Sequence, residues 1–340
     1  MVFKSEDYIH PADQAALASL QAIPGFSRLL KMFMKQWSER LGRIRSMSSY
    51  VRIDENQLPE YKEMLIPVCE KLGIDVPELY LMNDVRPNAF TFGENQPYIV
   101  ITSGLLQVLP KELIPTVLAH ECGHIACHHV LYRTMGTILI TGAFGSLGRL
   151  PLGSLISLPL QVAFFYWMRC SEYSADRAAV LCDGTPAKMA EVCMRLSGFD
   201  RRISGEMNLD AFLEQAREYR ETTNDSAWDK TLEFSMLANA SHPLTALRAL
   251  ECTEWAETDQ YQQILAGTYV APAKADESVF KDAPAREEGI LCPDCGTLNR
   301  TGALYCRSCG RKLDAPRICP DCGEMLDGSE TFCPGCGKKL

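Results

Sequence analysis

The sequence predicts an α+β chain, mostly α, with a small antiparallel sheet and a cysteine-rich end. Three observations carry that expectation. Apolar residues recur at helical spacing over most of residues 12–252. Between 78 and 102 the pattern changes to short apolar and aromatic runs separated by turn residues, the mark of strands. From residue 292 onward, eight cysteines fall in C-x-x-C pairs.

At 340 residues the chain can bury a sizeable core, enough for one large domain with something small beside it. Hydrophobic residues make up 46% and charged residues 23%, as in ordinary globular proteins. The net charge of −9 argues against general affinity for nucleic acid or an anionic membrane surface. The start, Met1-Val2-Phe3-Lys4-Ser5-Glu6-Asp7, has acidic residues where a secretory leader needs an apolar run. Of 15 cysteines, seven (69, 122, 127, 170, 182, 193 and 252) are scattered among apolar neighbours. Unpaired thiols without a leader point to a reducing compartment, and the cytoplasm is the expected location. The paired cysteines then read as metal ligands rather than disulfides.

Taken in order, residues 1–55 form an N-terminal helical segment. Helices are expected over 12–22 and 26–46, the second amphipathic through Phe26, Leu29, Leu30, Phe33, Trp37, Leu41 and Ile44. The main domain spans 56–265. It opens with a helix over 57–72 that ends near Gly73. Strands follow at 78–82, 90–92 and 98–102. Ser103 is the expected N-cap of a short helix through Val108, and Pro110 opens a long one. On that long helix Leu113, Val117, His120, His124 and His128 share a face. Residues 135–168 carry only Arg149 as a charge. The first apolar run there is about 21 Å long as helix, short of a bilayer core. The second is broken by Pro151, Gly153 and Pro159. A spanning hairpin is therefore not expected, and peripheral membrane contact through 135–168 stays open. Further helices are expected from 169 to 181, over 187–196 and 208–220, and from Ser241 to about 252. Residues 266–290, rich in Ala, Pro, Asp and Glu, read as a linker to 291–340.

The chemistry concentrates at His120-Glu121-Cys122-Gly123-His124. Two histidines four apart stack on one helix face, so both imidazoles can reach one ion. Glu121 lies at the edge of that face, within reach of a metal-bound water. A catalytic zinc usually takes a third protein ligand and keeps one position for water. A third histidine at position 130, with Gly at 127, would complete one known pattern, but the chain has Cys127 and Val130. The remaining option is a Glu on a later helix followed four residues on by an Asp. Glu172 and Asp176 supply it, with Glu172 as ligand and Asp176 accepting the second N–H of a ligand histidine.

His120-Glu-Cys-Gly-His124 with Arg169-Cys-Ser-Glu172-Tyr-Ser-Ala-Asp176 resembles the HtpX-like and CAAX-prenyl-protease family of gluzincin metalloendopeptidases, over roughly residues 60–255. The resemblance implies a zincin-like fold. It also implies hydrolysis of peptide bonds in extended or unfolded protein segments, a protein or peptide as substrate, and a place in protein quality control. Arg86-Pro87-Asn88-Ala89-Phe90 is similar to the family's segment leading into the edge strand that pairs with substrate, so Asn88, Ala89 and Phe90 are the implied substrate-binding residues. Ser241-His242-Pro243 with Arg248 is similar to its His-Pro…Arg element. His242 and Arg248 are therefore implied stabilisers of the oxyanion, a donor of this kind contributing about 3 kcal/mol. His129 is similar to the soluble branch, whereas membrane members carry two full spans in place of 135–168. His128, His129, Cys122 and Cys127 are read as structural.

In the tail, Cys292, Cys295, Cys306 and Cys309 recur 27 residues later as Cys319, Cys322, Cys333 and Cys336. Each half reads C-x2-C-x10-C-x2-C, a specific signal for a four-cysteine zinc ribbon. The expected complement is one catalytic and two structural Zn2+. Seven Lys and Arg against six Asp and Glu over 291–340 leave no basic stripe, so the ribbons should bind a protein partner rather than nucleic acid. The rival reading is a non-catalytic or latent peptidase-like adaptor working through its ribbons. Glu121, present here, separates the two.

Overall fold

The structure, a computed structural model, describes residues 1–23, 39–93, 96–141, 158–198, 203–225 and 244–271, isolated positions 26, 30 and 33, and four short strands of the tail. Two compact units emerge, Met1–Ala271 and Pro272–Leu340.

The first unit begins with α1 (Ser5–Tyr8) and α2 (Pro11–Gln21), then α3 (Glu39–Ser49), β1 (Val51–Ile53) and α4 (Pro59–Leu72). Three strands follow, β2 (Glu78–Met82), β3 (Ala89–Phe92) and β4 (Tyr98–Thr102), then α5 (Ser103–Val108). α6 (Ile114–Ala126) carries the paired histidines and α7 (Val130–Thr141) follows it. α8 (Leu158–Asp183) carries Glu172 and Asp176. α9 (Ala187–Gly198), α10 (Leu209–Asp225), α11 (Thr245–Ala256) and α12 (Asp259–Ala266) complete the unit.

The strands fall where the alternation put them, but the sheet is mixed rather than antiparallel. Its order is β1-β2-β4-β3, with β2 parallel to β4 and the other pairs antiparallel. Every residue of β4 is buried, so its apolar run needs neighbours on both sides. Gly93, at φ +87°, turns the chain back after β3 and sends β4 between β3 and β2. β3 is left at the edge. β1, α1 and α12 carried too weak a pattern in sequence to be expected.

The long helix starts later and ends earlier than its periodicity suggests. A 3-10 turn (Lys111–Leu113) precedes it, and Cys127 caps it. His128 adopts φ +56° and leaves the helical face it was expected to share. That turn lets the His129 N–H donate to the His124 carbonyl at 2.9 Å. α5 likewise takes Thr102, not Ser103, as its cap. About half of the helix expected over 26–46 lies outside the described residues, its end falling in α3, as does the middle of 135–168. Among the described residues, no helix is long and apolar enough to cross a membrane.

The main core joins α6, α8 and α11 to the sheet through Val117, Leu118, Cys122, Ala178, Leu250, Leu79 and Ile101. A second cluster ties α2 to α8 through Ala16, Leu20, Phe164 and Trp167. The N-terminal residues are thus built into the first unit, not appended to it. In the tail, β5 (Gly289–Leu291) pairs with β6 (Leu298–Arg300), and β7 (Arg317–Ile318) with β8 (Met325–Leu326), each antiparallel. Each hairpin encloses one C-x-x-C pair, and the register repeats with the cysteines. The eight cysteines themselves and residues 272–288 of the linker expected over 266–290 lie outside the described residues.

α6 and α8 meet at Gly123. A Cβ there would stand 2.8 Å from the Ala178 Cβ and 3.0 Å from the Ala175 Cα. Gly123→Ala should therefore push the helices apart and cost about 1–3 kcal/mol. Urea denaturation checks this, and an unchanged midpoint would show that the contact is not tight.

Candidate metal centre

α6 presents His120 and His124 one turn apart, and α8 presents Glu172 and Asp176 in the same spacing. All four are buried. The ligand atoms of His120, His124 and Glu172 lie within 4.8 Å of one another. The Nε2 of His120 is 3.5 Å from Glu172 Oε2, and the Nε2 of His124 is 3.4 Å from Glu172 Oε1. Tetrahedral zinc with bonds of about 2.0–2.1 Å sets its ligand atoms about 3.3 Å apart, so the set fits the metal. His124 Nε2 is a buried nitrogen with no hydrogen-bond partner among the described residues. A coordinate bond is what such an atom lacks.

The other ring nitrogens are held. His120 Nδ1 lies 2.8 Å from Asp176 Oδ1, as an N–H donor to a carboxylate. His124 Nδ1 meets His129 Nδ1 at 3.0 Å. Burial alone would lower the pKa of His120, but the Asp176 and Glu172 carboxylates push it up to about 9. Burial, helped by the charge of Arg133, drives that of His124 well down, keeping it neutral. Asp176 would be raised by burial, yet the charge and hydrogen bonds of Arg248, followed by His120, hold its carboxyl below the usual range.

Arg248 differs from its expected place. Its Nε donates to Asp176 Oδ2 at 2.8 Å and Nη2 to Oδ1 at 2.6 Å, while Nη1 lies 3.1 Å from Glu172 Oε2. The guanidinium is committed to two buried carboxylates and does not line the cleft. Two carboxylates out of water require a cation, and Arg248 supplies it. His242 lies outside the described residues.

The open side of the centre is a cleft of about 290 Å³. Asn88, just before β3, and Ala89 and Phe90 of β3 line it, with Glu121 from α6 and Met168 from α8. Thr91 Oγ1 donates to Glu121 Oε2 at 2.6 Å. Arg133, at 17% side-chain exposure, lies 2.6 Å from Glu172 Oε1 and donates to Ser171 Oγ at 2.9 Å. Neither Thr91 nor Arg133 was legible in the sequence. Thr91 follows the expected substrate segment directly, and that adjacency was its one available signal. A larger groove of about 680 Å³ lies between the N-terminal residues and the end of α6 and holds none of the candidate ligands.

Behind His129 stands Asp13 of α2. Its Oδ2 is 2.9 Å from His129 Nε2 and accepts from Ser174 Oγ at 2.6 Å, and its Oδ1 accepts from Trp167 Nε1 at 2.9 Å. Burial would raise this carboxyl, but the hydrogen bond and charge of His129, then Ser174 and Trp167, hold it below its ordinary value.

Two histidines and a glutamate gathered around a buried ion site, with a second glutamate at the cleft, define a metallopeptidase centre. The comparisons agree. The profile of peptidase family M48 matches residues 55–256, and that of the double zinc ribbon matches 292–337. The chain belongs to peptidase family M48, whose members use zinc to hydrolyse peptide bonds. It is 32% identical over 265 residues to the plastoglobule-localized metallopeptidase 48, chloroplastic, of Arabidopsis thaliana, covering 77% of this chain and 75% of that one. It is 28% identical over 177 residues to protease HtpX homolog 2 of Methanosarcina mazei, covering 45% and 60%. Among solved structures it aligns with Ste24p of S. mikatae at 16% identity and a TM-score of 0.34, covering 71% and 64%.

Replacing Arg248 by Met should leave two buried carboxylates without their cation and cost about 3–5 kcal/mol. A denaturation curve of the full chain measures it. A loss well under 1 kcal/mol would mean that the pairing is not formed.

Proposed function

We propose that the chain is a zinc-dependent endopeptidase acting on extended or unfolded protein segments, and that its role is in protein quality control. One observation carries this reading: Glu121 and the His120–His124–Glu172 set open onto the free edge of β3.

The edge supports backbone recognition. The Thr102 N–H donates to the Asn88 carbonyl at 3.0 Å, so these two form a hydrogen-bonded pair of the β3–β4 ladder. Such pairs alternate in an antiparallel ladder, so Phe90 and Phe92 also turn their backbones to β4. Ala89 and Thr91 turn N–H and C=O to the open side, where an extended substrate can add as a strand. Recognition of this kind reads backbone first and side chains second, which suits unfolded segments.

His120, His124 and Glu172 would hold the zinc. Zinc held there supplies a Lewis acid at the scissile carbonyl and makes the attacking water more acidic. Glu121 takes the water proton and delivers it to the leaving amine. Thr91 occupies Oε2 of Glu121 and so leaves Oε1 as the oxygen that would accept the proton. Asp176 and His129 keep the ligand rings in the tautomer that presents Nε2. His242, by its resemblance, donates to the oxyanion. Arg248 acts as a neutralising cation behind the ligands. The two ribbons each take one structural zinc and recruit protein partners, raising their effective concentration near the cleft. The nearly uncharged run 135–168 provides a peripheral lipid contact, a role supported by the plastoglobule in the name of the Arabidopsis relative.

Glu121→Gln should lower casein or peptide cleavage about 10²–10⁴-fold with zinc content retained at three per chain. Equal activity in the variant would sink the mechanism. Thr91→Val should lower kcat more than it raises KM, read from initial rates on one peptide. The opposite split would assign Thr91 to substrate binding alone.

A further inference from the structure

Asp13 lies well before the region matched to peptidase family M48, which begins at residue 55. It is nonetheless 1% exposed and reaches the centre. The chain leading into its helix is already anchored by other bonds. The His10 N–H donates to Ser174 Oγ at 3.0 Å, and Gln260 Nε2 donates to the Asp7 carbonyl at 2.8 Å. Trp167 and Ser174 also serve the Asp13 carboxylate, whereas His129 reaches on from it to the candidate ligand His124.

We infer that Asp13 is a positioning residue of the catalytic centre: through His129 it sets the tautomer of His124 and holds that ring's Nε2 as an electron-pair donor to zinc. The inference rests on the reading of His124 as a zinc ligand.

The argument is one of proton placement. His124 can ligate through Nε2 only with its proton on Nδ1. That Nδ1 faces the Nδ1 of His129 at 3.0 Å, so one of the two must donate and the other accept. Asp13, ionised, can only accept. His129 Nε2 is buried and lies 2.9 Å from Asp13 Oδ2, so a proton on that nitrogen faces the carboxylate. Ligation of zinc through His124 Nε2 puts the His124 proton on Nδ1, and His129 Nδ1 is then the acceptor. The opposite tautomer would set the Nε2 lone pair of His129 against a carboxylate oxygen. The two ligand histidines thus differ in support. His120 leans on Asp176 directly, whereas His124 reaches its carboxylate through a second ring, on a helix from the other end of the domain.

The turn after α6 makes this possible. His128 at φ +56° reverses the chain, and the next residue comes back beside His124. His129 then packs edge-on to Trp167, with ring centroids 5.9 Å apart, which fixes the plane of the imidazole.

The test uses the full zinc-loaded chain with 15N-labelled histidine. Ring 15N shifts report which nitrogen of His129 and His124 is protonated, and chelator competition gives the affinity of the weakest-held zinc. In Asp13→Asn the amide NH2 must face either Trp167 or the His129–Ser174 side, each of which already donates. The expected result is about a tenfold weaker zinc with the His129 proton displaced from Nε2. If that variant fails to fold, His129→Gln and His129→Leu decide. Gln can accept from His124 and donate to Asp13, so it should keep the affinity that Leu loses. An unchanged affinity in Asp13→Asn, equal losses in Gln and Leu, or a wild-type His129 protonated on Nδ1 would each overturn the inference. No substrate enters these measurements. A chain that binds zinc as described but cleaves no peptide would sink the peptidase reading alone.

Discussion

The centre depends on how closely α6 and α8 approach. Each helix offers its chemistry at one-turn spacing, His120 and His124 on one and Glu172 and Asp176 on the other. Neither pair can complete a metal site without the second. The approach is set by absent side chains: Gly123 on α6 faces Ala175 and Ala178 on α8, and a single added carbon would meet them at about 3 Å. The glycine inside the metal motif is therefore a packing residue. It brings the backbones near enough for Glu172 to reach both histidines.

Close packing of this kind removes water, and the polar groups then need one another. Glu172, Asp176 and Asp13 are each 1% exposed. An unpaired carboxylate at such depth would take up a proton rather than stay charged. Arg248 and Arg133 meet Glu172 from two sides, Arg248 also grips Asp176, and His129, Ser174 and Trp167 serve Asp13. The ionised forms of Glu172 and Asp176 are thus kept by cations from α7 and α11, and α2 adds the Asp13 carboxylate behind His129. These three helices carry none of the zinc ligands found among the described residues, yet each supplies part of the centre.

That division explains what could be read from sequence. Local spacing identified α6, α8, the strands and the cysteine repeat, because each rests on residues within a turn or a pleat of one another. The grouping of His120, His124 and Glu172, with Glu121 beside it, was legible for the same reason. Asp13 and Arg248 act across 116 and 72 residues of chain, from His129 and Asp176 respectively, and nothing near them announces the partner. Arg248 was consequently expected at the oxyanion, when the nearer demand on it is two buried carboxylates. The sheet order was hidden too. Three strands in sequence suggest a meander, and only the full burial of β4 forces it between its neighbours.

β3 shows why the edge matters to chemistry as well as to binding. One residue, Thr91, serves both. Its backbone N–H and C=O lie on the open side of the strand, while its hydroxyl donates to Glu121. A substrate strand adding there would be registered against the same residue that orients the general base. Any shift of register by one residue would turn the substrate's free backbone groups away from β3. Binding along the edge and alignment of the scissile bond with Glu121 are then one event, and positional precision comes from a rigid strand rather than from a side-chain pocket. A peptide bond positioned through backbone pairing of this kind would come within hydrogen-bonding distance of Glu121 without needing a side-chain pocket.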